Sequence, residues 1–340
     1  MKVAIGYHIQ DGPWGGGNAF ARALADALVA RGDQVVYTLN DPDIDLILLT
    51  DPRGRSPQVS FHAGSIQRYL LTVNPNAIVV HRINECDERK GSRHMNRLLR
   101  RANYVADHTV FIASWLKDLA VWRGESPCSV ILNGGDTAIF NNSTHRPWNG
   151  IGPMRIVTHH WGGNHLKGVD VYKALDSLLV DPDWRGQLEF TYIGNIPAGT
   201  RLPNTRHVPP LSGLALAHEI ASHHVYVTGS VNEPAGMHHI EGALCGLPLI
   251  YRNSGALPEY CRGFGIGFDD VTGFIRSLKT MLKDYHCYRM AMSSYPNTAR
   301  RMCSEYLSIF DELIKRRDAI ISHRRPWRAP WLVVRNQVPV

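Results

Sequence analysis

The sequence predicts an α/β protein built from two doubly wound parallel-sheet units. Short apolar, strand-like runs alternate with segments whose apolar residues recur at helical spacing. The alternation stops at a polar stretch rich in Pro and Gly, 141–153 (NNSTHRPWNGIGP), and then restarts. At 340 residues the chain is long for one domain and comfortable for two.

The elements follow in order. KVAIGYH reads as the first strand, DGPWGGG as a glycine loop and NAFARALADALVAR as a helix, with Asn18 placed to cap it and Gly32 to end it. QVVYTL, DLILLT, AIVVHRI, HTVFIAS and SVILN read as further strands, with MNRLLRRANYVA and WLKDLAVWR as helices between them. Beyond the polar stretch, MRIVTHH, LEFTYIG, HVYVTG and LPLIY read as strands. They alternate with the helices GVDVYKALDSLL, LALAHEIAS and VTGFIRSLKTMLKDY. A last helical stretch near 299–317 is expected to pack back on the first unit. The domains expected are 1–147, 148–298 and a C-terminal helix and tail, 299–340. In such sheets ligands lie outside the carboxyl ends of the strands, here in the cleft between the units.

Composition narrows the class. Hydrophobic residues make up 44% and charged residues 20%, an ordinary globular balance. No apolar run reaches the roughly 18–20 residues of a membrane span. The N-terminus runs at once into a strand, without the apolar core and cleavage site of a signal peptide. Six cysteines are scattered with no CxxC pair, which points to a reducing compartment, so a cytoplasmic location is expected. The net charge of +7 favours anionic partners. Its densest run, IKRRDAIISHRRPWR, reads either as a solvated face or as a patch for peripheral contact with the inner face of a membrane. Nucleic acid is not expected: the basic residues lack aromatic interleaving and the charge is modest for the length. Oligomeric state is not legible.

The stretch 232–250, NEPAGMHHIEGALCGLPLI, holds two carboxylates around a helix start. A helix beginning near Gly236 or Met237 leaves its first amides facing the preceding loop, a setting that attracts phosphate. Gly236 lets a ligand approach the backbone. Glu233 lies before that end and Glu241 about a turn and a half inside. The two can hold opposite ends of a long polyhydroxylated ligand, its phosphates on the amides between. The plainer alternative for Glu241, a solvated helix residue, fits poorly with its neighbours Ile240, Gly242, Ala243 and Leu244. In VVHRINECDERK, at the end of an expected strand, His81, Asn84 and Glu85 are further candidates. The His-His pairs at 159, 223 and 238 lack the spacing of ligands converging on a metal, and the Asp-Pro-Asp runs at 41 and 181 read as turns. No metal is expected.

EPAGMHHIEGALCGLPLIYRNSGALPEY resembles the E-x7-E region of retaining GT-B glycosyltransferases, family four in particular, with Glu233, Pro234, Gly236, Glu241, Gly246, Pro248 and Glu259 at the matching positions. GGGNAFARALADALVARGDQV is similar to that family's glycine loop and helix. ILNGGDTAIF is similar to its Asn-Gly-x-Asp-x-x-x-Phe segment, at Asn133, Gly134, Asp136 and Phe140. HLKGVDVYKALDSLL is similar to its Lys-Gly segment, at Lys167 and Gly168. These segments occur in the family's order over most of the chain.

The resemblance implies a GT-B fold, two Rossmann-like domains facing a central cleft, acceptor side first and donor side second. It implies retaining transfer of a sugar from a UDP- or GDP-sugar to a hydroxyl of a glycan or lipid-linked acceptor, by a same-face mechanism with no bound cofactor or metal. Glu233 would contact the donor sugar and Glu241 the ribose. Gly236, Met237 and His238 would turn amides toward the sugar and diphosphate, and Lys167 would stabilise the leaving diphosphate. Gly16 and Gly17 would close over the diphosphate and acceptor. A histidine near the donor sugar is matched by His81, with Asn84 or Glu85 as alternatives. The family's arginine before the lysine is missing from THHWGGNHLKG, where His159, His160, Asn164 and His165 are the donors at hand. An epimerase or phosphorylase on the same scaffold, and a nucleotide-sugar-binding protein without catalysis, are the rival readings.

Overall fold

The computed structural model describes residues 1–10, 12 and 15–338. Contacts divide the chain into two units, 1–133 with 299–340, and 134–298. The first holds β1 (Lys2–Ile5), β2 (Gln34–Val36), β3 (Leu46–Leu49), β4 (Ile78–Ile83), β5 (His108–Phe111) and β6 (Cys128–Val130), in the order β2-β1-β3-β4-β5-β6. All neighbours pair in parallel. Every residue of β3, β4 and β5 is buried, which is why their sequences are mainly apolar rather than alternating. One face is covered by helix Gly15–Arg31, through Phe20, Leu24 and Leu28, and by helix Ala299–Lys315, through Tyr306 and Phe310. The other carries helix Ala63–Thr72 and, against it, Leu332 and Val333 of helix Pro330–Asn336.

The second unit holds β7 (Met154–His160), β8 (Leu188–Gly194), β9 (Arg206–Val208), β10 (Val225–Thr228), β11 (Leu249–Arg252) and β12 (Gly265–Phe268). Their order is β12-β11-β10-β7-β8-β9, again all parallel. The chain winds outward from β7 through β8 to β9, then returns to β10 and winds the other way. The reversal lies between β7 and β10, and loops at such a switch point diverge to leave a crevice at the strands' carboxyl ends.

By their contacts residues 134–147 fall in the second unit, and the polar stretch 141–153 is strapped to it. Phe140 is buried, His145 Nδ1 lies 3.2 Å from the Ala221 carbonyl oxygen, and the Trp148 amide donates to the Tyr285 hydroxyl at 3.2 Å. Two sequence expectations are corrected. Asn18 does not cap its helix, which begins at Gly15. Its buried amide instead pairs in both directions with the Gln10 backbone, at 2.9 and 2.8 Å, holding the end of the preceding loop. WLKDLAVWR forms only a 3-10 turn, Ser114–Asp118, and then extends at Leu119. There Val121 is buried and Trp122 packs edge-on against Phe111 at 5.2 Å, so tertiary packing overrides the helical spacing.

Candidate active site

In the second unit the loops after β7 and β10 sit on either side of the switch point. The first carries the 3-10 turn His165–Lys167, entered from Asn164, whose side chain accepts from the Leu166 amide at 2.8 Å. Gly168 follows at φ +96°, a left-handed conformation that lets helix Val169–Leu178 start immediately. The second loop runs past Gly229 to Met237, and helix His238–Leu244 follows. The Val231 amide donates to the Leu166 carbonyl at 2.8 Å and joins the two loops.

This brings Lys167 to Glu233, with Nζ 2.9 Å from Oε2 and side chains only 12% and 6% exposed. A charge pair so far out of water is far less screened than one at the surface. The Glu233 carbonyl accepts from the Ala256 amide at 2.8 Å, so its backbone is held from behind. Gly236 touches the same group: a Cβ there would stand 3.2 Å from the Glu233 carboxyl carbon and 2.4 Å from His238 Nδ1. Gly236 and Met237 are half-buried.

Glu241 is held by a different series of hydrogen bonds, through His159 and Tyr226. The Tyr226 hydroxyl accepts from the His159 amide at 3.1 Å and lies 3.1 Å from His159 Nδ1. The hydroxyl's own proton has two acceptors within reach, Nδ1 and the His159 carbonyl oxygen at 3.4 Å. The Glu241 carboxylate only accepts, so His159 carries a hydrogen on Nε2 and donates it to Oε2 at 2.7 Å. Burial raises the Tyr226 phenol well above its ordinary range, so it stays protonated in this role. Glu241 Oε1 has no partner among the described residues and is the acceptor left for a ligand.

Of the other expected donors, His160 lies inside the fold. Its Nε2 is 2.6 Å from the Tyr172 hydroxyl, and the residue is 2% exposed. Its ring is thus held within the second unit's core, against Tyr172, and not on the loop that carries Lys167. His238 is likewise buried, with Nε2 2.8 Å from Thr228 Oγ1 and its pKa held well below the ordinary value, first by burial. Sequence reasoning missed Arg252 at the end of β11. It donates through Nε to the Gly229 carbonyl at 3.0 Å and pairs with Asp170, cross-bracing the two loops. A cation directly after an apolar strand was the available signal.

The remaining residues lie in the first unit. Gly16 and Gly17 are in the first turn of helix Gly15–Arg31, after β1, at that sheet's own β1/β3 reversal. Asp11, Pro13 and Trp14 of the expected loop lie outside the described residues. His81 sits within β4, fully buried, with Nδ1 3.1 Å from Asn103 Nδ2. The strand read from the sequence as AIVVHRI does end at Ile83, which leaves His81 two residues inside its carboxyl end. Asn84 and Glu85 follow directly after β4 and are half-buried. A cavity of about 610 Å³ in this unit, lined by Leu70, Val105, Ile309 and Leu313 among others, contains none of the expected site residues. No cluster of three or more His, Cys, Asp or Glu side chains suited to a metal occurs among the described residues.

Three buried histidines give the protein a pH-dependent stability. Burial lowers His81 and His239 to about 3 and His223 to about 4. Unfolded, each takes a proton near 6.5. Between those values the unfolded chain binds more protons. Stability is therefore full above about pH 6.5 and falls with acid, by at most about 1.4 kcal/mol per pH unit for each histidine. Urea denaturation is expected to show a lower midpoint at about pH 5 than at about pH 7.5, and equal midpoints would refute this.

No protein-family model matches the chain, and no curated protein matches it. Its fold is similar to solved structures across nearly its whole length. Sucrose-phosphate synthase from Thermosynechococcus elongatus shares 14% identity at a TM-score of 0.63, covering 92% of this chain and 99% of that one. HepE from Anabaena, in complex with UDP, shares 13% at 0.67, covering 92% and 100%. A trehalose 6-phosphate synthase from Burkholderia multivorans shares 11% at 0.60, covering 91% and 77%. These likenesses define the class of fold: GT-B, with two Rossmann-like doubly wound units.

Proposed function

We propose that the chain is a retaining glycosyltransferase that moves a sugar from a nucleotide-diphosphate donor, a UDP- or GDP-sugar, to a glycan or lipid-linked acceptor hydroxyl. The observation that carries the reading is the pairing of Lys167 with Glu233 at the switch point where Glu241 keeps one carboxylate oxygen open. Neighbours solved with UDP and UDP-glucose support a donor of this class.

In this reading Glu241 Oε1 accepts from ribose hydroxyls and Glu233 accepts from the sugar. The Lys167 ammonium lies where the diphosphate leaves. Charge builds on phosphate oxygens as the bond from the anomeric carbon breaks, and a preorganised cation stabilises that charge without reorganising. The acceptor oxygen forms the new bond on the same face and passes its proton to the departing diphosphate. No covalent glycosyl-enzyme forms, and turnover persists in chelator.

Calorimetric titration with UDP, GDP and ADP tests the site. One nucleotide is expected to bind, and Glu241→Ala to weaken it by about 1.5–3 kcal/mol, the range for hydrogen bonds to charged groups. Binding by none of the three, or by the variant as tightly as the parent, rejects the donor site. Acceptor-dependent release of free nucleoside diphosphate separates transfer from epimerisation, and a trapped sugar on Glu233 rejects the same-face mechanism.

A further inference from the structure

Helix Pro330–Asn336 buries one apolar face and leaves a second apolar face exposed. Leu332, Val333 and Asn336 turn inward onto the first unit, where a Gly64 Cβ would stand 2.0 Å from the Asn336 carbonyl oxygen. On the opposite side, at helical spacing, lie Trp331, Val334 and, just past the helix end, Val338, exposed by 61%, 68% and 58%. Trp327 just upstream is 59% exposed. Two tryptophans and two valines left in water within twelve residues cost hydrophobic free energy that a partner would recover.

The surrounding charge identifies the partner. Arg101 donates to Asn336 Oδ1 at 3.0 Å and to the Val338 carbonyl at 2.7 Å, and Arg68 donates to Gln337 Oε1 at 3.1 Å. Neither these two nor Arg335 forms an ion pair with a carboxylate among the described residues. Burial, and next to it the Arg335 guanidinium, holds Arg101 below the ordinary arginine range, so the cations crowd one another. A second copy docked by a two-fold axis would bring these arginines against themselves. Tryptophan and aliphatic side chains flanked by arginine suit the boundary between acyl chains and anionic headgroups.

We propose that the outward face of 327–338, with Arg68, Arg101 and Arg335, docks the protein on an anionic lipid bilayer. The inference is independent of the donor-site reading. No helix of the described residues is long and apolar enough to cross a membrane, so the contact is peripheral.

Co-sedimentation of the full chain with vesicles tests it, using phosphatidylcholine alone and phosphatidylcholine with about a third phosphatidylglycerol. The parent is expected to bind the anionic vesicles more tightly, and added salt to weaken the binding. Trp331→Ser with Val334→Ser is expected to weaken it by about tenfold or more, since the apolar contact is lost. Trp327→Ser with Val338→Ser is expected to act in the same direction, and keeps the test open should the first variant fail to fold. Arg335→Gln is expected to reduce the preference for anionic over neutral vesicles. A parent that stays in the supernatant, or variants that bind like the parent, overturns the proposal. So does self-association of the parent that the tryptophan variants remove, which assigns the face to a second copy.

Discussion

Replacing Lys167 by Met is expected to lower the turnover of a nucleotide-sugar donor by about a hundredfold to a thousandfold, the usual cost of removing one preorganised group from a developing charge. The same change is expected to destabilise the fold. Glu233 is almost wholly buried, and without Lys167 it loses its ammonium partner while remaining out of water. Breaking a buried pair from one side costs about 3–5 kcal/mol. Glu233→Gln acts from the other side: Lys167 then faces a neutral amide. The two losses are not expected to add, because the double variant Lys167→Met, Glu233→Gln leaves neither charge stranded. Urea denaturation of all four proteins, beside their rates of nucleoside diphosphate release, separates the roles. Stability should partly recover in the double variant and activity should not. If activity recovers with stability, the pair only holds the loops together. If Lys167→Met keeps both parent stability and parent activity, the pair matters to neither.

Much of this site is legible in the sequence because its parts are local. Glu233 and Glu241 share one loop and helix, and Lys167 and Gly168 are adjacent, so motif and spacing identify them together. What brings Lys167 to Glu233 is the β10-β7 pairing, a contact between segments 66 residues apart that no local pattern encodes. The same holds for His159, whose link to Glu241 spans 82 residues. His81 shows the limit of such local reading. Its strand, AIVVHRI, was legible through Ile83, but the packing that buries its ring completely and sets it against Asn103, 22 residues on, was not. The missed strands are short or poor in side chains: Arg206–Val208 has three residues, two of them exposed, and Gly265–Phe268 is half glycine. Helix Ala63–Thr72 was missed because its cap is His62, which accepts from the Gly64 amide in place of the usual Ser, Thr, Asp or Asn.

Gly168→Ala is expected to be among the most damaging single-methyl changes in the second unit, for two separable reasons. At φ +96° the backbone lies where an L side chain is strained, at about 1–3 kcal/mol. The added Cβ would also stand 2.4 Å from both Cα and the carbonyl carbon of Gly229, and backbone cannot rotate away as a side chain can. Overpacking of this kind costs a further 1–3 kcal/mol or so. Gly229 in turn is held by Arg252, so relief requires shifting a braced loop. The loops must then part at the Val231 to Leu166 hydrogen bond, which moves Lys167 away from Glu233. A loss of about 3–5 kcal/mol is expected in urea denaturation, together with weaker nucleotide binding in whatever fraction remains folded. Gly162→Ala is the control. It lies in the same loop, with nothing within 4 Å of its Cβ and no left-handed φ, and is expected to stay within about 0.5 kcal/mol of the parent. If Gly168→Ala unfolds with the parent midpoint, the close approach of the two loops is wrong, and with it the geometry that pairs Lys167 with Glu233. If both variants lose stability equally, the loop tolerates no side chain anywhere and the approach to Gly229 is not the cause.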